Sequence, residues 1–294
     1  MPCYHPMDAF QTLSGSIQFH ESKDCRPVVF PCGQCIGCRL KRSRNWAIRC
    51  MHEKQSHALS SFVTLTYKYD YVPSLDYRDF QLFMKRLRKE VGPSRFFAVG
   101  EYGDDQAGRY GGLLGRPHFH ALLFGTWFDD RKRFSKDLFT SDRLARLWPH
   151  GFSSIGDVTF QSAGYCARYC CEKVTGARAE AHYKRVDPDS GVVVDVVPEM
   201  AHMSLRPAIG RPFFERYWRE MSLARDGVVV NGKTYPLPRY YDKVLDVIAP
   251  DLCDARDYDR YINSQKFAVD CTPERLLVRE VVEQARFKLL KREL

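Results

Sequence analysis

The longest apolar runs in this chain, such as Ala121-Leu122-Leu123-Phe124, are only as long as a β-strand. A membrane helix needs about 18 consecutive apolar residues, so the core has to be built from short strands and amphipathic helices. Ser61-Phe62-Val63-Thr64-Leu65-Thr66-Tyr67 alternates with the two-residue period of a strand and is rich in β-branched and aromatic residues. Arg95 to Glu101 and His118 to Phe124, the latter stopped by Gly125, also read as strands. Asp76 to Glu90 has the helical period instead, with Phe80, Phe83, Met84 and Leu87 on one side and Lys85, Arg86, Arg88 and Lys89 on the other; Gly92-Pro93 ends it.

Further along, the glycine-rich stretch from Tyr102 to Gly115 reads as loop. Ser141 to Trp148 reads as a short helix on a serine cap, Ser153 to Phe160 as a strand, and Ser162 to about Val174 as a helix closed by Gly176. Beyond residue 179 the signals weaken to a strand at Val192 to Val197, a helix at Pro212 to Ala224 and a charged helix from Thr272 to Leu294. Strands interspersed with helices, without regular βαβ alternation, predict an α+β fold with a mainly antiparallel sheet. Three segments are expected: a cysteine-rich, metal-binding stretch at 1–57, a core at 58–178, and a C-terminal region at 179–294 that packs on the core or extends it.

Lys+Arg 45 against Asp+Glu 36 leaves a net charge of +9, which favours a polyanionic partner because each neutralised phosphate releases condensed counterions. Met1-Pro2-Cys3-Tyr4-His5 has no basic region followed by an apolar run, so no secretory signal is read and a cytosolic protein is expected. In a cytosol the 11 cysteines are thiols or metal ligands rather than disulfides.

Six of those cysteines fall in the first fifty residues, and Cys32-Gly33-Gln34-Cys35-Ile36-Gly37-Cys38 has the sharpest spacing in the chain. Chance gives such a triplet roughly 0.01 to 0.02 times per chain. Thiolates three positions apart across glycine turns converge on a tetrahedral ion, here a structural Zn²⁺, with the fourth ligand drawn from Cys3, Cys25, Cys50 or His52 and Cys3 or Cys50 preferred. The plainer reading is free cysteines in a glycine-rich turn.

His118-Phe119-His120 puts two imidazoles on one face of a strand, about 6.5 to 7 Å apart at Cα, and Phe119 on the other. If the preceding strand pairs with this one, Glu101 reaches the same ion and completes a two-histidine, one-carboxylate set suited to Mg²⁺ or Mn²⁺. Tyr165, Tyr169 and Lys173, four residues apart, form one stripe of a helix: two phenols and an ammonium. Tyr-x-x-x-Tyr alone carries no weight, since it recurs at Tyr67 and Tyr71. Beside a metal, however, a tyrosine hydroxyl is a reasonable nucleophile toward a phosphodiester.

These residues together resemble a known family. The ordered set Phe62 to Tyr67, Gly100-Glu101-Tyr102-Gly103, Gly115-Arg116-Pro117-His118-Phe119-His120-Ala121-Leu122-Leu123-Phe124-Gly125 and Tyr165-x-x-x-Tyr169-x-x-x-Lys173 is similar to HUH-type rolling-circle replication initiators, more narrowly to those of gokushoviruses in the Microviridae. Cys32 to Arg39, Lys85 to Arg88, Arg206 to Gly210 and Pro238 to Asp242 resemble that group too. The resemblance implies an RRM-like HUH core with a central antiparallel sheet. It implies nicking and joining of a single-stranded or melted phage origin through a 5′-phosphotyrosine, with a free 3′-OH for the host DNA polymerase and a host helicase as partner, in the bacterial cytoplasm.

By position, Tyr165 and Tyr169 become alternating nucleophiles, Lys173 a phosphate or tyrosinate partner, His118 and His120 metal ligands, and Glu101 the third ligand. Arg39, Lys41, Arg42, Arg44, Lys85, Arg86, Arg88 and Arg116 become candidate DNA contacts. Cys170-Cys171 departs from the aliphatic residues more usual beside the second tyrosine. The competing readings are a transposase or plasmid relaxase of the same chemistry, and a non-catalytic, zinc-containing nucleic-acid-binding protein.

Overall fold

Among the described residues the central sheet has seven strands: β4 (Ser60–Thr66), β5 (Arg95–Asp104), β6 (Leu114–Phe124), β7 (Lys132–Arg133), β8 (Phe139–Thr140), β9 (Ser153–Gly156) and β12 (Met200–Met203). They pair in the order β12-β5-β6-β4-β9-β8-β7, every pair antiparallel. The computed structural model describes residues 3–68, 74–104, 114–169, 173–174, 176, 179–186, 190–223, 227–230 and 232–289. Among them no helix is long and apolar enough to cross a membrane.

The sheet separates two apolar layers, as alternation along the strands requires. One layer gathers Val63, Leu65, Ala98, Phe119, Ala121 and Leu123 under α2 (Tyr77–Val91) and α3 (Asp142–Leu147). Helix α2 starts where the Asp76 carboxylate accepts from the Arg78 amide at 2.7 Å and stops at Gly92, whose φ of 83° is a conformation glycine adopts without strain. Its Phe80, Phe83, Met84 and Leu87 are all buried, each contributing about 1.5–3 kcal/mol. The other layer gathers Phe62, Phe97, Val99, Leu122 and Phe124 with Ala47 and Cys50 of α1 (Ile36–Gln55) and Ala163 and Cys166 of α4 (Phe160–Tyr169).

Gly100 of β5 stands opposite Phe119 of β6, and a Cβ there would lie 2.9 Å from the Phe119 ring. A glycine is therefore what lets that ring lie flat across the sheet.

Several sequence boundaries move, and the strand expected at Ser153 to Phe160 already ends at Gly156. Strands β5 and β6 run into the expected 102–115 loop, with an irregular register between Tyr102 and Asp104, because Tyr102 anchors the strand end: its hydroxyl accepts from the Leu75 amide at 3.0 Å and donates to the Val197 carbonyl at 2.6 Å. Helix α4 begins two residues early, on a reciprocal cap. The Ser162 amide donates to Thr159 Oγ1 at 3.0 Å and the Thr159 amide to Ser162 Oγ at 2.8 Å.

The chain divides into two compact units, Arg44–Val244 holding the sheet and Met1–Ser43 with Leu245–Glu293. The first also holds the antiparallel pairs β10 (Lys184–Val186) with β11 (Val193–Asp195) and β13 (Gly227–Val230) with β14 (Lys233–Pro236), and the helices α5 (Ala179–His182) and α6 (Arg211–Leu223); α7 (Arg239–Ile248) starts in it. The second contains a small antiparallel sheet, β1 (Met7–Thr12) between β2 (Ile17–Gln18) and β3 (Cys25–Phe30), together with α8 (Pro250–Gln265) and α9 (Pro273–Lys288).

Candidate metal and nucleophile site

Strand register assembles the polar cluster. Glu101 of β5 stands directly opposite His118 of β6, and Thr64 of β4 directly opposite His120. Both histidine Nε2 atoms turn to one carboxylate oxygen, Glu101 Oε1, at 2.7 Å from His118 and 2.8 Å from His120. Glu101 Oε2 is buried with no hydrogen-bond partner among the described residues. One ligand atom from each of the three residues lies within 4.8 Å of the others, so the group can hold a metal ion.

The outer contacts fix both rings. His118 Nδ1–H donates to the Arg116 carbonyl at 3.0 Å. His120 Nδ1 meets Thr64 Oγ1 at 3.0 Å, and its ring stacks on Phe62 with centroids 5.5 Å apart and planes 13° from parallel. A carboxylate only accepts, so without a metal each Nε2 carries a proton. His118, whose Nδ1 also donates to a carbonyl, is then an imidazolium, whereas the Thr64 hydroxyl can donate to His120 and leave it neutral.

The electrostatics agree. Burial pushes both imidazoles down; at His118 the hydrogen bond and charge of Glu101 outweigh it and raise the pKa, while at His120 burial prevails. Burial also presses Glu101 upward, but the hydrogen bonds from both histidines hold its carboxyl below the usual range.

Tyr165 of α4 is half-buried on the same side of the sheet, its ring edge-on to His120 with centroids 5.1 Å apart and planes at 84°. Arg168, one turn on, places its guanidinium 5.6 Å from the centre of the Tyr165 ring. Tyr169 is the last residue of α4, and its side chain lies outside the described residues, as do Cys170 and Cys171. The expected helical stripe does not reach Lys173, which is exposed and not helical, and the neighbouring Val174 amide donates to the Tyr183 hydroxyl at 2.9 Å.

The expected basic contacts scatter. Arg116 lies two residues before His118, at the register irregularity of β5 and β6, close enough for its charge to act on the His118 ring. Lys85, Arg86 and Arg88 lie on α2, the layer opposite the histidines; Arg86 Nε donates to the Leu147 carbonyl at 2.9 Å and Arg88 to the Ser94 carbonyl at 3.0 and 3.1 Å. Along α1, Lys41 is exposed, Arg39 is half-buried, Arg42 donates to the Gly33 carbonyl at 3.3 Å, and Arg44 lies 5.6 Å from the Tyr235 ring centre.

The cysteine cluster is completed by Cys3. The sulfurs of Cys3, Cys32, Cys35 and Cys38 lie within 4.8 Å of one another and can hold a metal ion. Cys50, the alternative fourth ligand, is buried instead in the apolar layer of α1 with Ala47, one turn away; Cys25 bonds the Ser22 carbonyl, and His52 bonds Tyr241. Burial works against a Cys32 thiolate, yet the amides of Cys35 and Gln34 donating to its sulfur outweigh it and bring its pKa to about 7.

Three groups escaped sequence reasoning: Thr64, Phe62 and Arg168. Pairing the Phe62 strand with the histidine strand would have found the first two, and the i, i+3 spacing from Tyr165 the third.

Residues 60–174, which hold Glu101, His118, His120 and Tyr165, match the family described as Replication-associated protein ORF2/G2P. The chain is 34% identical over 261 residues to Replication-associated protein VP4 of Bdellovibrio phage phiMH2K, covering 82% of this chain and 76% of that protein. It belongs to the replication-associated proteins of small phages. Replication-associated protein ORF2 of Spiroplasma virus 4 is 30% identical over 243 residues, covering 74% of this chain and 67% of the relative. ORF4 of Chlamydia phage 1 is 30% identical over 233 residues, covering 73% and 53%. The last two phages are gokushoviruses, the group that the motifs resemble. No solved structure matches the chain.

Proposed function

We propose that this replication-associated protein is a rolling-circle initiator that nicks and rejoins the phage origin through a covalent 5′-phosphotyrosine. One observation carries the reading: the Tyr165 phenol lies against His120, whose Nε2 converges with that of His118 on Glu101. The donor set suits Mg²⁺ or Mn²⁺, since two neutral imidazoles and a carboxylate leave positions open for phosphate oxygens and water. The buried, unpartnered Glu101 Oε2 and the carbonyl that orients His118 fit such an ion. A divalent ion held there supplies Lewis-acid polarisation of the scissile phosphate.

The remaining chemistry belongs to the chain. Tyr165 Oη attacks the phosphorus, forming the tyrosyl O–P bond and breaking P–O3′; the phenol proton leaves to solvent and O3′ takes one up. Arg168 over the ring sets a positive charge beside the attacking phenol, and Arg116, whose charge acts on the His118 ring, is placed to meet the DNA backbone. Tyr169 is the second nucleophile for the rejoining transfer, with Lys173 a further cation for phosphate. The substrate is single-stranded or melted origin DNA, because a paired phosphate cannot bend to meet a helix-borne phenol in line.

The nuclease core is read as an RRM-like HUH fold over residues 58–178, within which the family match falls. A host polymerase extends the 3′-OH and a host helicase unwinds ahead of it, in the bacterial cytoplasm.

Labelled origin strand incubated with protein and Mn²⁺ is expected to give a detergent-resistant protein–DNA adduct on denaturing gels. The adduct should vanish without metal, in His118→Ala, and in the Tyr165→Phe/Tyr169→Phe double variant, with DNA binding retained. A double variant that binds and still cleaves refutes tyrosine catalysis.

A further inference from the structure

The unit formed by Met1–Ser43 and Leu245–Glu293 joins the two ends of the chain around very little core. Helix α9 has 16 residues and buries Leu276 alone among those described; α8 buries Cys253 and Arg256. A unit this thin ordinarily needs a covalent or metal staple. Among the described residues, one buried group that spans its two segments is Tyr4 and Cys35 packed on Leu276, with Cys3, Cys32, Ile36 and Cys38 around them. Close by, His5 Nε2 meets Glu280 Oε2 of α9 at 2.6 Å.

The sulfurs there have the dimensions of an ion cage. Cys3 Sγ is 3.5 Å from Cys32 Sγ and 3.9 Å from Cys35 Sγ. A tetrahedral ion with bonds of about 2.3 Å spaces its sulfurs about 3.8 Å apart. Four backbone amides point at these sulfurs: Tyr4 N to Cys35 at 3.3 Å, Cys32 N to Cys3 at 3.2 Å, and Gln34 N and Cys35 N to Cys32 at 3.4 and 3.3 Å. Such donors favour thiolate over thiol and fix the ligands' directions. The turn that makes this possible contains Gly33 at φ +74°, a conformation other residues rarely adopt.

We propose that Cys3, Cys32, Cys35 and Cys38 bind one zinc ion, and that this ion is the staple tying the start of the chain to α9. The site is closed, with four protein ligands and no open position, so its role is to fold this unit; it stands apart from any nicking chemistry.

The test uses full-length protein and elemental analysis of the purified chain. One equivalent of zinc is expected, falling to near none in Cys3→Ser and in Cys38→Ser. In both, hydrogen exchange should quicken by about 100-fold or more at Tyr4, Cys32 and Cys35 and around Leu276, while β4–β6 keep their protection. Cys3→His, which still offers a tetrahedral ligand, should restore zinc and protection even if the serine variants fail to fold. Cys25→Ser, outside the cluster, should change neither. Four findings each overturn the proposal: purified protein without zinc, iron in its place, a Cys3–Cys32 disulfide in the native chain, or slow exchange around Leu276 in a zinc-free serine variant.

Discussion

Replacing Thr64 by valine removes one hydroxyl and keeps the β-branched shape that suits β4. The hydroxyl lies 3.0 Å from His120 Nδ1, and it sets which ring nitrogen carries the proton. A metal needs the Nε2 lone pair, so Nδ1 must hold the proton and donate it to Thr64 Oγ1. Losing that acceptor forfeits a hydrogen bond worth about 0.5–1.5 kcal/mol net. Outer partners of metal-binding histidines typically account for about 10–100-fold in affinity, or about 1.4–2.8 kcal/mol at 1.4 kcal/mol per tenfold. Phe62 still stacks on the ring at 5.5 Å and 13°, so orientation is partly retained and the lower end applies. Thr64→Val should therefore weaken Mn²⁺ binding about tenfold in a calorimetric titration, with His120→Ala as the reference that abolishes it. A Thr64→Val affinity within about twofold of the parent, in protein that melts normally, refutes the claim that this hydroxyl orients the ligand.

Three further outcomes follow from the same geometry. His52 is buried between Phe213 and Tyr241, and burial lowers its pKa to about 4. Below its ordinary value of about 6.5 the unfolded chain takes up a proton that the folded one refuses, so stability falls between about pH 6.5 and 4, by roughly 3 kcal/mol in all. Urea unfolding should show His52→Gln flattening that slope. Gly100→Ala puts a Cβ 2.9 Å from the Phe119 ring and 3.1 Å from Leu75; the overpacking costs about 1–3 kcal/mol, read as a melting temperature lower by about 3–10 °C. Arg116→Gln should weaken single-stranded DNA binding and flatten the slope of log affinity against log salt by about 0.7, whereas Lys85→Gln, on the opposite layer, leaves both unchanged by anisotropy titration.

Local periodicity was enough to find β4, β5, β6, α2 and α3, because each carries its own burial pattern and, in the two helices, its own cap. The pairing of Glu101 with His118 was also readable, since adjacent antiparallel strands bring such residues opposite one another. What stayed hidden depended on partners far along the chain. Met200–Met203 joins the edge of β5 although four residues carry no pattern of their own. Choosing Cys3 over Cys50 as the fourth sulfur needed a contact spanning 29 residues, though Cys50's place one turn from Ala47 on α1 already hinted at an apolar face. Charge patterning alone does not show that Arg86 and Arg88 donate to backbone carbonyls, or that α2 covers the layer opposite the histidines. The helix expected to run to about Val174 does not carry Lys173, beside which Tyr183, from a later segment, accepts from the Val174 amide.

The metal-binding geometry is a property of strand register more than of any single side chain. A slip of one residue between β5 and β6 would set Gly100 against His118 and turn the Glu101 carboxylate to the opposite face. What resists the slip lies in the apolar layer beneath. Phe119 packs its ring against Tyr67, Phe80 and Trp148, at centroid distances of 6.4, 5.4 and 6.0 Å, and needs a residue without a Cβ across from it. Shifting β5 either way would bring Val99 or Glu101 onto that ring. The hydrophobic face thus selects the one register in which the polar face can bind an ion. Gly100→Ala should accordingly weaken Mn²⁺ binding as well as stability, although Gly100 offers the ion no side chain. In a double-mutant cycle Phe119→Leu, which frees space for the added methyl, should recover part of both losses. A Gly100→Ala protein that is less stable but binds Mn²⁺ with unchanged affinity would separate register from ligation and defeat this account.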